Sequence, residues 1–266
     1  MAIITLMTDF GIKDGNVGVM KGVIWGICPQ AQISDLSHMI GAQNVQEASL
    51  ILLRSAPYFP QGTVHVVVVD PGVGTARRPM AAKIGNWFYV GPDNGTITML
   101  LDRAEKEHWE CKFVELDNRK YWLPDVSHVF HGRDIFSPSA AHLANGTPLS
   151  DLGTEFTDPV RLPLPKPRRL SDGWYGEIIH IDHFGNIASN IRVEDLGSFV
   201  QSKAKITVKL KGIEIKGMVD TFGERPEGDL VALLGSTGNL IVSVVNGNAA
   251  AKLGVKVGDG IEAIII

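Results

Sequence analysis

The chain opens on a short apolar, β-branched run, Ile3 to Met7, that stops at the polar turn Thr8-Asp9-Phe10-Gly11. Such a run predicts a buried strand that ends in a loop. From Asn16 to Cys28 apolar residues recur at helical spacing until Pro29 stops them, which predicts a helix. Ile33 to Leu36 reads as a second strand and Asn44 to Ser55 as a second helix. Val64 to Val69 is valine-rich without alternation, as a strand covered on both faces would be, and it ends abruptly at Asp70-Pro71-Gly72. Residues 1 to 158 therefore read as an α/β, Rossmann-like sheet domain. Charged residues just past its buried strands stand where open α/β sheets bind ligands.

Between Asp158 and Asp172 the pattern breaks, with four prolines and three arginines, so 159–172 reads as a linker. Beyond it, 173–266 predicts short strands at Gly176 to Ile181, Lys205 to Leu210, Ile213 to Val219, Leu230 to Leu234, Asn239 to Val245 and Gly260 to Ile266. Glycine turns separate several of them, and only Val193 to Val200 and Asn248 to Leu253 look helical. This pattern predicts a small β-barrel or sandwich.

Composition adds exclusions. With 266 residues, 44% hydrophobic and 20% charged, the chain can bury enough apolar surface for two cores. A formal charge of −4 offers no broad basic field, which argues against nucleic-acid binding. The two cysteines, Cys28 and Cys111, lack metal-ligand spacing and read as core packing. No apolar run approaches a membrane span and the first residues lack a basic signal-peptide region, so a cytoplasmic, membrane-free protein is expected.

Three loops of the first domain concentrate charge with glycine: Thr8 to Gly11 with Asp14, Asp70 to Arg78, and Phe130-His131-Gly132-Arg133-Asp134. In the second, Gly72 and Gly74 let the backbone turn back and bring Arg77 beside Asp70, although a capped surface turn would read the same. It is no phosphate loop, for it has no Gly-Lys-Ser/Thr. Asp9 could equally cap the following helix, and His131 could be a hydrogen-bonded structural residue. Asp9, Asp14, His131 and Asp134 have no spacing that supports a metal site, and none is expected. In the second domain Asp182-His183-Phe184-Gly185-Asn186 is either a nucleobase contact or an Asx-turn with a core Phe, while Ser236 to Asn239 is either an anion-binding turn or a hairpin.

Taken in order, Thr8-Asp9-Phe10-Gly11, Val69 to Thr75, Gly91-Pro92-Asp93-Asn94-Gly95, Phe130 to Asp134, Asp182-x-Phe184-Gly185-Asn186 and Asn246-Gly247-Asn248-Ala249-Ala250 resemble the S-adenosylmethionine hydroxide adenosyltransferases, relatives of the fluorinases and chlorinases. The resemblance implies an N-terminal α/β domain, a C-terminal β-barrel, and a homotrimer with active sites between subunits. It implies that Asp70, Arg77 and His131 activate water. It further implies that Asp9 holds the ribose, that Phe222, Asn186 and the Asn246 backbone meet the adenine, and that Asp14, Asp182 and Ser236 grip the methionine end; by residue type alone Phe184, like Phe222, could stack on the face of a base. The expected reaction is cofactor-free in-line attack of water at C5′ of S-adenosylmethionine, giving adenosine and methionine. Two rivals are 5′-halogenation, disfavoured because the Asp70 carboxylate would repel a halide, and a non-catalytic S-adenosylmethionine or adenosine sensor.

Overall fold

The computed structural model describes residues 2–265 and divides into two compact units between Leu162 and Pro163. The first contains β1 (Ile3–Thr8), α1 (Asn16–Ile27), β2 (Gln32–Ser37), α2 (Val45–Ser55), β3 (Val64–Val68), β4 (Pro79–Ile84), β5 (Trp87–Pro92), α3 (Thr98–Lys106), β6 (Cys111–Glu115), α4 (Ser137–Ala144) and β7 (Thr154–Phe156). Its sheet has the order β2-β1-β3-β5-β4-β6-β7, parallel across the first four strands and antiparallel beyond. Every residue of β3 is buried. Val66 and Val68 pack on one face with Met20 and Ile24 of α1 and Ala140 of α4, while Val67 and Val69 pack on the other with Leu52 of α2 and Leu100 of α3. Both faces are covered, so the run needs no polar alternation, and each valine contributes roughly 1.5–3 kcal/mol of burial.

Strand β2 is added on one side of β1 through α1, and β3 on the other side through α2, on the opposite face of the sheet. The order thus reverses at β1, and the crevice beyond the carboxyl ends of β1 and β3 is the place such a topology reserves for a ligand. Thr8 is in register with Val68, so Asp9 and Asp70 both lie at that edge. Asp9 is not a helix cap: α1 starts after Gly15, with no side-chain cap.

The strands of the second unit are β8 (Arg168–Arg169), β9 (Gly173–Ile181), β10 (Ile187–Arg192), β11 (Ile206–Leu210), β12 (Ile213–Lys216), β13 (Leu230–Leu234), β14 (Asn239–Val244) and β15 (Gly260–Ile265). They form an antiparallel, barrel-like sheet in the order β12-β11-β15-β9-β10-β14-β13, with β8 paired to β9. Two short helices, α5 (Val193–Leu196) and α6 (Ala249–Leu253), complete it. The predicted helix from Val193 to Val200 is only the single turn of α5, followed by 3-10 turns with non-helical backbone at Ser202. The proline-rich stretch has no helix; its two-residue β8 pairs with β9, and Pro165 accepts a hydrogen bond from Asn190 Nδ2 at 2.9 Å. Cys28 is fully buried, but Cys111 at the start of β6 is only partly so. No helix among the described residues is long and apolar enough to cross a membrane.

Candidate active site

Asp70 and Arg77 are brought together by the loop after β3. Turn bonds from Val73 N–H to Asp70 C=O at 3.3 Å and from Thr75 N–H to Gly72 C=O at 3.1 Å fold it back. Gly74 has φ +75°, and a Cβ there would collide with the His128 backbone oxygen, so only glycine fits. Asn94, in the Gly91-to-Gly95 motif, buttresses the strand end by donating to Val69 C=O at 2.9 Å.

The Arg77 guanidinium donates from Nε to both Asp70 carboxylate oxygens at 3.0 Å and from a terminal nitrogen to Oδ2 at 2.5 Å. Their side chains are only 9% and 5% exposed, so the pair is held out of water. The same terminal nitrogen lies 2.7 Å from His131 Nδ1. A guanidinium has no acceptor, so Nδ1 must receive this bond and the ring is neutral with its proton on Nε2. Burial, and then the Arg77 charge, push the His131 pKa below its ordinary value, in the same direction. Arg77 also lies over the Phe136 ring at 5.3 Å.

His131 leads directly into a π-turn, Gly132–Phe136, ahead of α4. The turn is fixed by Ser137 Oγ donating to Gly132 C=O at 2.7 Å and by buried Asp134, which accepts from Ser127 N–H at 2.9 Å and Arg133 Nε at 2.6 Å. Such π-turns recur at functional sites because they re-aim one residue. Arg78, next to Arg77, turns to the scaffold: it pairs with buried Asp93 at 2.8 Å and with Asp158 at 2.8 Å.

Asp9 lies at the same sheet edge, and its Oδ2 accepts the Gln43 backbone N–H at 2.7 Å. Asp14 is exposed in the bend before α1. In the second unit Asp182 organises its own turn, with Oδ1 accepting the N–H groups of Phe184 and Asn186, each at 2.9 Å, and Oδ2 accepting Asn186 Nδ2 at 2.7 Å. This is an Asx-turn, but its Phe is no core residue: Phe184 is 72% exposed. Asn246, left-handed at φ +53°, follows β14 close to that turn, since Gly185 packs on Asn248 and accepts from Ala250 N–H at 3.0 Å. Ser236 is at the exposed tip of the β13–β14 hairpin, at the other end of β14, a strand spanning about 20 Å. Phe222, 43% exposed, begins a 3-10 turn capped by Thr221.

A carboxylate, guanidinium and neutral imidazole at the switch point of a doubly wound sheet define an α/β enzyme site equipped to handle a proton on a polar nucleophile. The chain belongs to the S-adenosylmethionine hydroxide adenosyltransferase family: the model of its N-terminal domain matches residues 4–153 and that of its C-terminal domain residues 176–262. Among curated relatives, an "(R)-S-adenosyl-L-methionine hydrolase" of Salinispora tropica is 41% identical, over 96% of this chain and 95% of the relative. One of the same name from Thermus thermophilus is 39% identical, over 97% and 98%. A fluorinase of an Actinoplanes species is more distant at 30%, over 91% and 90%. The crystal structure of an uncharacterized conserved protein from Thermotoga maritima superposes with a TM-score of 0.90 at 36% identity, covering 98% of this chain and 99% of that one.

Proposed function

We propose that this protein hydrolyses S-adenosyl-L-methionine to adenosine and L-methionine, with Asp70, Arg77 and His131 activating the attacking water. The observation that carries the reading is the Asp70–Arg77–His131 hydrogen-bonded set in a member of this family. A water O–H proton passes to Asp70, the oxygen bonds to C5′, the C5′–S bond breaks, and its electron pair leaves with sulfur as a neutral thioether. Arg77 already donates to both Asp70 oxygens, which leaves lone pairs on the carboxylate for the proton. His131 carries its proton on Nε2 and so donates to the nucleophile oxygen instead of taking its proton. Hydroxide and sulfonium neutralise each other, so a dry site favours the transition state.

Asp9 holds the ribose, Asn186 and Asn246 with Phe184 and Phe222 receive the adenine, and Asp14 and Asp182 take the methionine end, whereas Ser236, at the far end of β14 from Asp182, is not grouped with them. Asp182 retains capacity for an ammonium beyond its turn bonds. The division of labour, with 1–158 activating water and 173–266 binding adenine and methionine, belongs to the same proposal, as do a homotrimer and a cytoplasmic location.

The test is chromatography of products from each sulfonium epimer separately, since the relatives' names specify the (R) form. Adenosine with equimolar methionine is expected, and 5′-halo-adenosine is not expected in chloride or fluoride because Asp70 is anionic. Asp70→Ala, Arg77→Ala and His131→Ala should each lower single-turnover rates roughly 10²-fold or more while affinity stays within several-fold. Asp9→Ala and Asn186→Ala should mainly weaken binding. A main defect in binding for Asp70→Ala would remove the water-activating assignment.

A further inference from the structure

Behind Asp9 lies a polar chain that the water-activating set does not use. Thr8, fully buried, closes β1; its Oγ1 accepts the Phe10 N–H at 3.2 Å and meets His38 Nδ1 at 3.0 Å. His38 is 8% exposed, and its Nε2 lies 3.1 Å from Asp35 Oδ1, in ion-pair range though off the hydrogen-bonding line. Asp35 is anchored in turn by Lys21 Nζ of α1 at 2.7 Å. The His38 backbone oxygen accepts the Gly11 N–H at 2.7 Å. The imidazole and its own carbonyl therefore hold both ends of the Thr8-to-Gly11 turn on which Asp9 stands.

The carboxylate is gripped from the other side by the Gln43 N–H, and Gln43 has φ +62°, a left-handed conformation costly for a non-glycine residue. Strain of this kind persists only where surrounding structure enforces it, here where it aims a donor at Asp9. Thr8 Oγ1 accepts from Phe10 N–H, which leaves its O–H to donate to His38 Nδ1 in the tautomer whose ring proton sits on Nε2, on the side of Asp35.

We propose that His38, acting through Thr8, is a positioning residue for the Asp9 carboxylate, fixing the carboxylate that receives the nucleoside hydroxyls before the ligand arrives. The inference rests on the reading of Asp9 as the ribose contact. Preorganisation of this kind shows in binding more than in chemistry, since ribose contacts are made alike in ground and transition states.

The test is steady-state kinetics on the full chain with S-adenosylmethionine. Thr8→Val and His38→Leu should each raise KM about tenfold with kcat within about threefold of wild type. His38→Asn puts an amide where Nδ1 stood and should bring KM back to within about threefold. Because the chain acts through Asp9, adding Thr8→Val to Asp9→Ala should raise KM no further. A merely structural role would lower the amount of active enzyme, and so apparent kcat, and leave KM alone; that result overturns the proposal while wild-type hydrolysis stands. An additive double variant overturns it as well. Absence of hydrolysis by the wild type removes both the functional reading and this inference.

Discussion

Removing the Arg77 guanidinium should unfold the first unit more readily than any effect on turnover would suggest. Asp70 is 5% exposed and its charge is compensated by three Arg77 hydrogen bonds, two at 3.0 Å and one at 2.5 Å. Arg77→Met keeps much of the aliphatic stem but removes the guanidinium that lies over Phe136, and leaves the carboxylate buried and unpaired. Stripping one partner from such a pair costs about 3–5 kcal/mol, whereas replacing both is often close to neutral. Asp70→Asn is milder, because the amide oxygen still accepts one of the bonds; about 1–3 kcal/mol is expected. The double variant Asp70→Asn/Arg77→Met should then be more stable than Arg77→Met alone, which requires the coupling in the cycle to exceed the Asp70→Asn loss and reach about 3 kcal/mol. At the size of this unit, 3 kcal/mol corresponds to a fall in Tm of about 6–12 °C, well within reach of calorimetry on the four proteins. Additive losses, with the double variant the least stable, would mean that the pair is not isolated from water and that the low exposure misstates its surroundings.

Acid should destabilise the fold through His65, which is 1% exposed inside β3, bonded by Nδ1 to Thr5 Oγ1 at 2.8 Å, and pushed by burial from 6.5 down to about 4. The unfolded chain takes the proton first, so this contribution is intact above about pH 6.5 and is lost as pH falls toward 4, by about 3 kcal/mol in all; denaturant titrations should show that Thr5→Val/His65→Leu lacks this part of the decline. His131 must be neutral to accept from Arg77, and its pKa is depressed, so kcat/KM should hold as pH falls through the ordinary histidine range and decline only below it, a limb absent from the residual activity of His131→Asn. Gly74→Ala adds a collision with the His128 carbonyl to the left-handed strain and should cost several kcal/mol with loss of turnover; Gly62→Ala, at φ +81° with open space around it, should cost only about 1–2 kcal/mol, as thermal melts would show.

Strands β1 and β3 were legible because they are buried on both faces and read as apolar runs interrupted only by Thr5 and His65, whereas β5, the fourth parallel strand, was not placed. Nor was β10 legible, for between Ile187 and Arg192 it carries Ser189 and Asn190, the latter a residue that strands ordinarily avoid. Its Asn190 is accommodated by distant partners, accepting from Glu177 N–H at 2.8 Å and donating to Pro165 C=O, and Ser189 Oγ donates to Leu240 C=O at 2.9 Å. Those bonds exist only once the barrel is assembled, so no window of sequence contains them.

The site divides the same way. Asp70 and Arg77 are seven residues apart across a glycine turn, close enough for local chemistry to suggest their meeting, and the bonds of 2.5–3.0 Å between them are its result. His131 arrives from 54 residues beyond Arg77 on a π-turn, and nothing near it in the chain announces that position; family resemblance alone supplied it. His38 and Gln43 went unread and Thr8 was noted only as part of a turn, although a histidine directly after a strand-ending serine, facing a buried threonine on the neighbouring strand, is the kind of polar pair that must find partners. Arg77 and Arg78 show what the linear reading could not separate. They look alike in sequence, yet successive side chains on chain leading into β4 point opposite ways, one toward Asp70 and the other toward Asp93 and Asp158. One arginine therefore pairs with Asp70 and His131 while its neighbour ties the loop's far end to the scaffold, and moving the pair by a single residue would lose both arrangements.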